Sequence, residues 1–226
     1  MGLYINSPQW FAGIDSGIES LSLIVALIVS WYSYKVYRLS GEKKYKYFAA
    51  AFLLSGIAYI FKIASQVIIY EKEKVLQQIG PFLVARTVLE PVTWLHTYSY
   101  AVFSILVLFS MLILLAVAFR IHDKPTLILL TYFMVIITLL TGHAMPVLHL
   151  TLALMAAMLV FHFYTNYAKN KACQALFVTL AFLSIFFSHV VMMFMMYNPT
   201  IYVASEVLQL VGFCLLLYAF ILVRKK

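Results

Sequence analysis

Residues 101–119 read AVFSILVLFSMLILLAVAF, nineteen consecutive residues without a charged side chain. Nineteen residues of α-helix extend about 28 Å, close to the ~30 Å thickness of the hydrocarbon layer of a bilayer. Backbone polar groups in hydrocarbon must be hydrogen-bonded within the segment, because no water is present to pair with them. The run therefore predicts a transmembrane helix.

The rest of the chain is also strongly hydrophobic. Of its 226 residues, 65% are hydrophobic and 11% are charged, and the mean hydropathy is +0.98. A soluble domain carries roughly a quarter charged residues. The apolar runs predict an all-α, polytopic membrane protein with seven transmembrane helices in one transmembrane domain, 1–226. We expect an external interfacial segment at 1–17 and spans at about 18–38, 46–70, 90–119, 125–144, 146–167, 172–196 and 200–223.

The charged residues predict the orientation of the spans. The chain has 16 basic and 8 acidic residues, and nearly all the basic ones follow odd-numbered spans. Only Lys72, Lys74 and Arg86 follow an even-numbered span. Since basic loops stay on the cytoplasmic side, the pattern predicts an N-out/C-in protein of the cell membrane. Basic residues dispersed over loops also argue against nucleic acid as a partner.

The chain shows an internal repeat at an offset of 130 residues. This shift superposes Ala26 on Ala156, Tyr34 on Tyr164, and residues 51–53 (AFL) on residues 181–183 (AFL). With a shorter loop, Glu90 matches Glu206. Spans 1–3 and 5–7 would then be parallel three-helix units joined by span 4, a 3+1+3 plan.

This plan is similar to that of the SWEET sugar transporters, the PQ-loop transporters and the KDEL receptor. The N-out topology with seven helices also resembles microbial rhodopsins, although span 7 has no lysine for a retinal Schiff base. The stretches 37–44 (YRLSGEKK) and 205–213 (SEVLQLVGF) resemble recurrent patterns in uncharacterised prokaryotic, especially archaeal, multi-span proteins. That resemblance implies an architecture and no activity.

Lys62 is the charge that most needs a structural explanation. An ionisable side chain at mid-membrane costs ~2.5–3.5 kcal/mol on insertion scales, so it requires a partner or a wet cavity. Helical spacing places Ser55, Tyr59, Lys62 and Gln66 on one stripe of span 2. The similar depth of the acidic residues predicts an ion pair of Lys62 with Glu206 or Glu90. The alternative is a lysine that snorkels to the interface.

Four histidines are expected on the outer side with these charges: His96, His143, His149 and His189. We therefore predict a transporter-like or ligand-binding bundle with an outward-facing polar pocket. Lys62 would meet an anionic group of the ligand, Glu206 a cation or proton, and the histidines would tune affinity with pH. The expected lining residues are Lys62, Gln66, His96, His149, His189, Glu206 and Gln209.

Two other functions remain open. A receptor or sensor subunit would signal through a separate partner protein. A redox subunit would bind haem or copper, since imidazole with thioether suits Cu(I) or an axial haem position. Its metal ligands would be His143, His149, His189 and Met193.

The sequence carries no recognisable catalytic motif, which favours a non-enzyme and leaves the question open. The expected partners are the lipid bilayer, a small solute or ion, and a second copy or another membrane protein.

Overall fold

The computed structural model of the chain describes the backbone of residues 8–11, 13–79, 84–121, 123–141, 145–195, 197–198 and 200–224. Side chains are described for these residues except 9, 67–79, 84–96, 140–141 and 223–224. The predicted site residues His96 and His143, and Glu90 of the alternative ion pair, lie outside the described side chains.

The described chain is helical. A short 3₁₀ helix at Gln9–Phe11 precedes seven α-helices. Their bounds are Ile14–Ser40 (α1), Lys43–Ile79 (α2), Val84–Ala118 (α3), Lys124–Thr141 (α4), Met145–Asn170 (α5), Cys173–Met192 (α6) and Thr200–Arg224 (α7).

Six of these helices are long and apolar enough to cross a membrane. They are α1, α2, α3, α5, α6 and α7, so the chain is a multi-pass helical membrane protein. Over its described residues, Lys124–Leu139, α4 is a shorter apolar helix.

Several helices begin or end away from the predicted bounds. α1 begins at Ile14 rather than near residue 18, because Asp15 Oδ1 accepts the backbone N–H groups of Gly13 and Ser16 at 2.9 and 2.8 Å. α6 ends at Met192 rather than near residue 196, which leaves Met193 at the helix cap.

A side-chain cap also begins α4. Asp123 Oδ2 accepts the backbone N–H of Thr126 at 3.1 Å. This hydrogen bonding from Thr126 holds the pKa of the exposed Asp123 carboxyl below its usual value.

The helices form a ring in chain order. Contacts run from α1 to α2, α2 to α3, α3 to α5, α5 to α6, α6 to α7 and back from α7 to α1, and α4 packs on α3 and α5. Short connections at Gly41–Glu42 and Lys171–Ala172 hold successive helix ends together. They define a basic end of the bundle, where Lys35, Arg38, Lys43, Lys44, Lys46, Lys169 and Lys171 gather.

Small residues let α6 and α7 approach closely. A Cβ on Gly212 would lie 2.7 Å from Ile185 Cγ1 and 3.0 Å from the carbonyl oxygen of Ala181. Nearby, Ser184 Oγ donates a hydrogen bond to the Leu208 carbonyl oxygen at 2.6 Å. Close packing and interhelical hydrogen bonds are the main attractions between helices in lipid.

Candidate functional site

Lys62 lies between two carboxylates in the core of the bundle. Its Nζ is 2.7 Å from Glu206 Oε1 and 2.8 Å from Glu19 Oε1. The exposed fractions of the three residues are 5% for Lys62, 0% for Glu19 and 2% for Glu206. We call Glu19, Lys62 and Glu206 the triad. It joins α1, α2 and α7, and Phe103 of α3 places its ring centroid 5.8 Å from Nζ.

Gln66 links the triad to neighbouring side chains through hydrogen bonds. Its Nε2 donates to Glu19 Oε1 and to Tyr202 Oη, both at 2.8 Å. Its Oε1 accepts the hydroxyl of Ser16 at 3.2 Å. Gln66 thus joins α1, α2 and α7, and the Glu19 carboxylate accepts from two side chains of α2, Lys62 and Gln66.

The triad lies near the end of the bundle opposite the basic end. Glu19 and Glu206 each come within two turns of the start of their helices. Lys62 is 19 residues, or roughly 28 Å, along α2 from Lys43. On this side the segment before α1 folds back, since Phe11 is buried and packs edge-on against Tyr202 at 6.1 Å.

A second polar layer follows toward the middle of the bundle. Gln209 Nε2 donates a hydrogen bond to the hydroxyl of Tyr59. Below them is a cavity of about 30 Å³ with Ser55, Ser110 and His189 among its lining residues. That volume holds one or two water molecules.

His149 and His189 face each other across α5 and α6. Their Nδ1 atoms are 3.3 Å apart, both residues are 6% exposed, and Lys62 interacts electrostatically with each. The two form the histidine pair. The two nitrogens lie within hydrogen-bonding distance, and the tautomers of the rings decide which one donates.

The described residues contain no group of three or more His, Cys, Asp and Glu side chains that could hold a metal ion. Met193, expected as a thioether ligand, is half-buried at the C-cap of α6. His143 lies outside the described residues, so the four predicted ligands are not brought together in the part that is described.

Three predictions about the polar residues can be compared with these contacts. The Lys62–Glu206 ion pair is confirmed, and the snorkelling alternative is wrong because Lys62 is buried. The stripe on α2 is also confirmed, since its four members are all buried. Of the predicted lining residues with described side chains, Lys62, Gln66 and Glu206 belong to the triad and its shell. Gln209 lies one turn deeper on α7, and His149 and His189 form the pair between α5 and α6.

The sequence reasoning missed Glu19. It lies at the outer end of the predicted first span, and α1 carries it fully buried. The available signal was its spacing: Asp15, Glu19 and Ser22 share one helical face with the buried Ala26 and Val29.

The triad contains two carboxylates and one ammonium group, so it carries one excess negative charge when both carboxyls are ionised. Glu19 Oε2 is buried and has no hydrogen-bond partner among the described residues. Burying uncompensated charge is costly, and a proton or a cation can neutralise it.

No family model matches the chain, and no curated protein or solved structure is significantly similar to it. The fold and the triad therefore define a multi-pass helical membrane protein with an ionised polar centre, and any function must be argued from that centre.

Proposed function

We propose that the chain is a transporter-like protein of the cell membrane that binds a small anionic solute at Lys62. In this proposal Glu19 holds a proton in the resting state, and Glu206 takes one up as the anion binds. The observation that carries the proposal is the contact of Lys62 Nζ with two buried carboxylates at 2.7 and 2.8 Å. Charged groups inside membrane proteins commonly mark substrate and proton paths.

The two glutamates occupy the positions that a solute carboxylate would take. An ammonium group has three N–H donors and two of them contact the glutamates, so a solute carboxylate that accepts from two donors must displace one glutamate. A protonated glutamate loses its attraction to Lys62 and releases that donor. Proton uptake and anion binding are thus linked, each favouring the other.

Glu19 is the first carboxylate to take up a proton in this scheme. Its Oε2 has no partner among the described residues, and the cluster carries one excess negative charge. One proton neutralises the resting triad, and a second enters with the anion. The bound state then holds one ammonium, one solute anion and two neutral carboxyls, with no net charge.

The surroundings of the triad support a site that opens to one side. Between it and the basic end lie the small cavity and three large apolar side chains that line its floor, Phe52, Phe182 and Leu216. These three are 1–3% exposed. With the N-out/C-in orientation that the basic residues favour, the triad would face the outside and the apolar layer would close the cytoplasmic side.

The buried faces of the helices support the 3+1+3 repeat. When α1 is shifted by 130 residues, six of its eight buried residues fall on buried residues of α5. Glu19 falls on His149, and Tyr59 of α2 falls on His189 of α6. The histidine pair would then take the places in the second unit that Glu19 and Tyr59 have in the first, as in transporters built from repeated units.

The experiment uses sodium acetate as the probe anion on the full chain in detergent, with sodium chloride at equal ionic strength as the reference. A ligand that binds only the folded protein raises the unfolding temperature. We expect acetate to stabilise the wild type increasingly as the pH falls from 8 to 5. The Glu19→Gln/Glu206→Gln variant should be stabilised at every pH, because its amides never compete as anions.

Lys62→Met should abolish the effect of acetate. The matched control is Lys44→Met on the same helix, which removes an exposed lysine paired with Glu42 at 2.5 Å. The proposal fails if acetate stabilises Lys62→Met as much as Lys44→Met, or if it stabilises neither the wild type nor the double variant. In the second case the triad is a structural clamp.

A further inference from the structure

A groove of about 870 Å³ opens between α1 and α2 on the outer surface of the helix ring. Its walls come from the stretch between Leu27 and Tyr34 on α1 and from the stretch between Lys46 and Leu53 on α2. Each stretch is eight residues long and extends roughly 10 Å. The triad lies farther along both helices, so the groove is a separate feature.

The groove is apolar and faces the membrane. Leu27, Trp31 and Leu53 are 41%, 70% and 46% exposed, although all are large and hydrophobic. At its base, Ser30 Oγ donates a hydrogen bond to the Ala49 carbonyl oxygen at 2.8 Å, which fixes the two helices together. Because α1 and α2 are membrane-spanning, hydrocarbon chains are the natural contents of such a groove.

The mouth of the groove is basic. Lys46 lines it and is exposed, and Lys35, Arg38, Lys43 and Lys44 are exposed at the same end of the same two helices. Trp31 and Tyr34 lie between this basic mouth and the apolar interior, where amphipathic rings are favoured at headgroup level. Clustered basic residues beside membrane helices attract anionic lipid headgroups.

We propose that this groove binds an anionic phospholipid, with an acyl chain against Trp31 and Leu53 and the headgroup phosphate against Lys46. The groove is apolar inside and cationic at its rim. A phospholipid has the matching arrangement, with an apolar acyl chain and an anionic headgroup. A second copy of the chain would instead bring its own basic end against the same cluster of like charges, which is unfavourable.

The test compares two phospholipids with identical acyl chains, dioleoylphosphatidylglycerol and dioleoylphosphatidylcholine. Each is titrated into the delipidated full chain in detergent, and bound lipid is counted by native mass spectrometry. The wild type should retain the anionic lipid preferentially. Lys46→Gln should reduce this preference about five-fold, and Lys46→Arg should keep it. Trp31→Ala should weaken both lipids equally.

Two controls match these variants. Lys169→Gln removes an exposed lysine at the basic end of α5, and Phe161→Ala removes an aromatic side chain that is 66% exposed on α5. Both should bind lipid as the wild type does. Equal losses in Lys46→Gln and Lys169→Gln would overturn the proposal, since the preference would then reflect general surface charge. A lipid-free dimer that Trp31→Ala converts to monomer would also overturn it.

Discussion

Replacing Lys62 with methionine should be the most damaging single change in the triad. Methionine keeps most of the length of the side chain and removes the only cation that contacts Glu19 and Glu206 among the described residues. Removing one partner of a buried ion pair typically costs about 3–5 kcal/mol, because the other charge is left unpaired. Here two carboxylates lose their partner, so we expect a loss at the upper end of that range at neutral pH.

Glu206→Gln should cost far less, about 1 kcal/mol or below. The amide oxygen still accepts a hydrogen bond from Lys62, and Glu19 remains as a counter-ion at 2.8 Å. The change also removes the excess negative charge of the triad. Combining Lys62→Met with Glu19→Gln and Glu206→Gln leaves no charge in the cluster and should recover most of the lost stability.

The assay is equilibrium unfolding in mixed detergent micelles, followed by tryptophan fluorescence, with Lys44→Met as the exposed control. Non-additivity between the single and combined variants measures the coupling within the triad. The reasoning is refuted if Glu206→Gln destabilises as much as Lys62→Met, or if the triple variant is no more stable than Lys62→Met alone.

Three further changes test other contacts. Gly212→Ala should destabilise the chain by about 1–3 kcal/mol, because the new Cβ would lie 2.7 Å from Ile185 Cγ1; an unchanged unfolding free energy would contradict the close packing of α6 on α7. His189→Leu should cost about 1–3 kcal/mol by orphaning the buried ring of His149, and the double leucine variant should regain part of it in the same assay. Asp123→Ala should speed amide hydrogen exchange in the first turn of α4 while Asp123→Asn does not. Since the pKa of Asp123 is lowered in the folded chain, its stabilising effect is present above the unfolded pKa and is lost as the pH falls through the folded one, which exchange measured across that range will show.

Hydropathy predicted the helices well because a backbone segment in lipid must make its hydrogen bonds internally. Apolar runs long enough to cross the bilayer must be helical, whatever their detailed packing. Helix ends were less predictable, since α1 begins with polar residues that hydropathy assigns to a loop. Asp15, in the first turn of this helix, accepts two backbone N–H groups at its start, and this effect depends on local geometry rather than on average polarity.

The candidate site was predictable where depth in the membrane determines the partner. Lys62 and Glu206 lie at similar depths on antiparallel helices, so their pairing followed from topology. Glu19 was missed because an acidic residue near a helix start can belong equally to the surface. Its burial depends on the packing of α1 on α7, and helical spacing indicates a shared face of α1 without identifying the helix that covers it.

The number of protons taken up with each anion is the most direct test of the link between Lys62 and the two glutamates. Calorimetric titration of acetate in buffers of different ionisation enthalpy gives this number. We predict an uptake of about one proton per acetate for the wild type at neutral pH, and about zero for Glu19→Gln/Glu206→Gln. Acetate binding without proton uptake in the wild type, or with equal uptake in both proteins, would contradict the account.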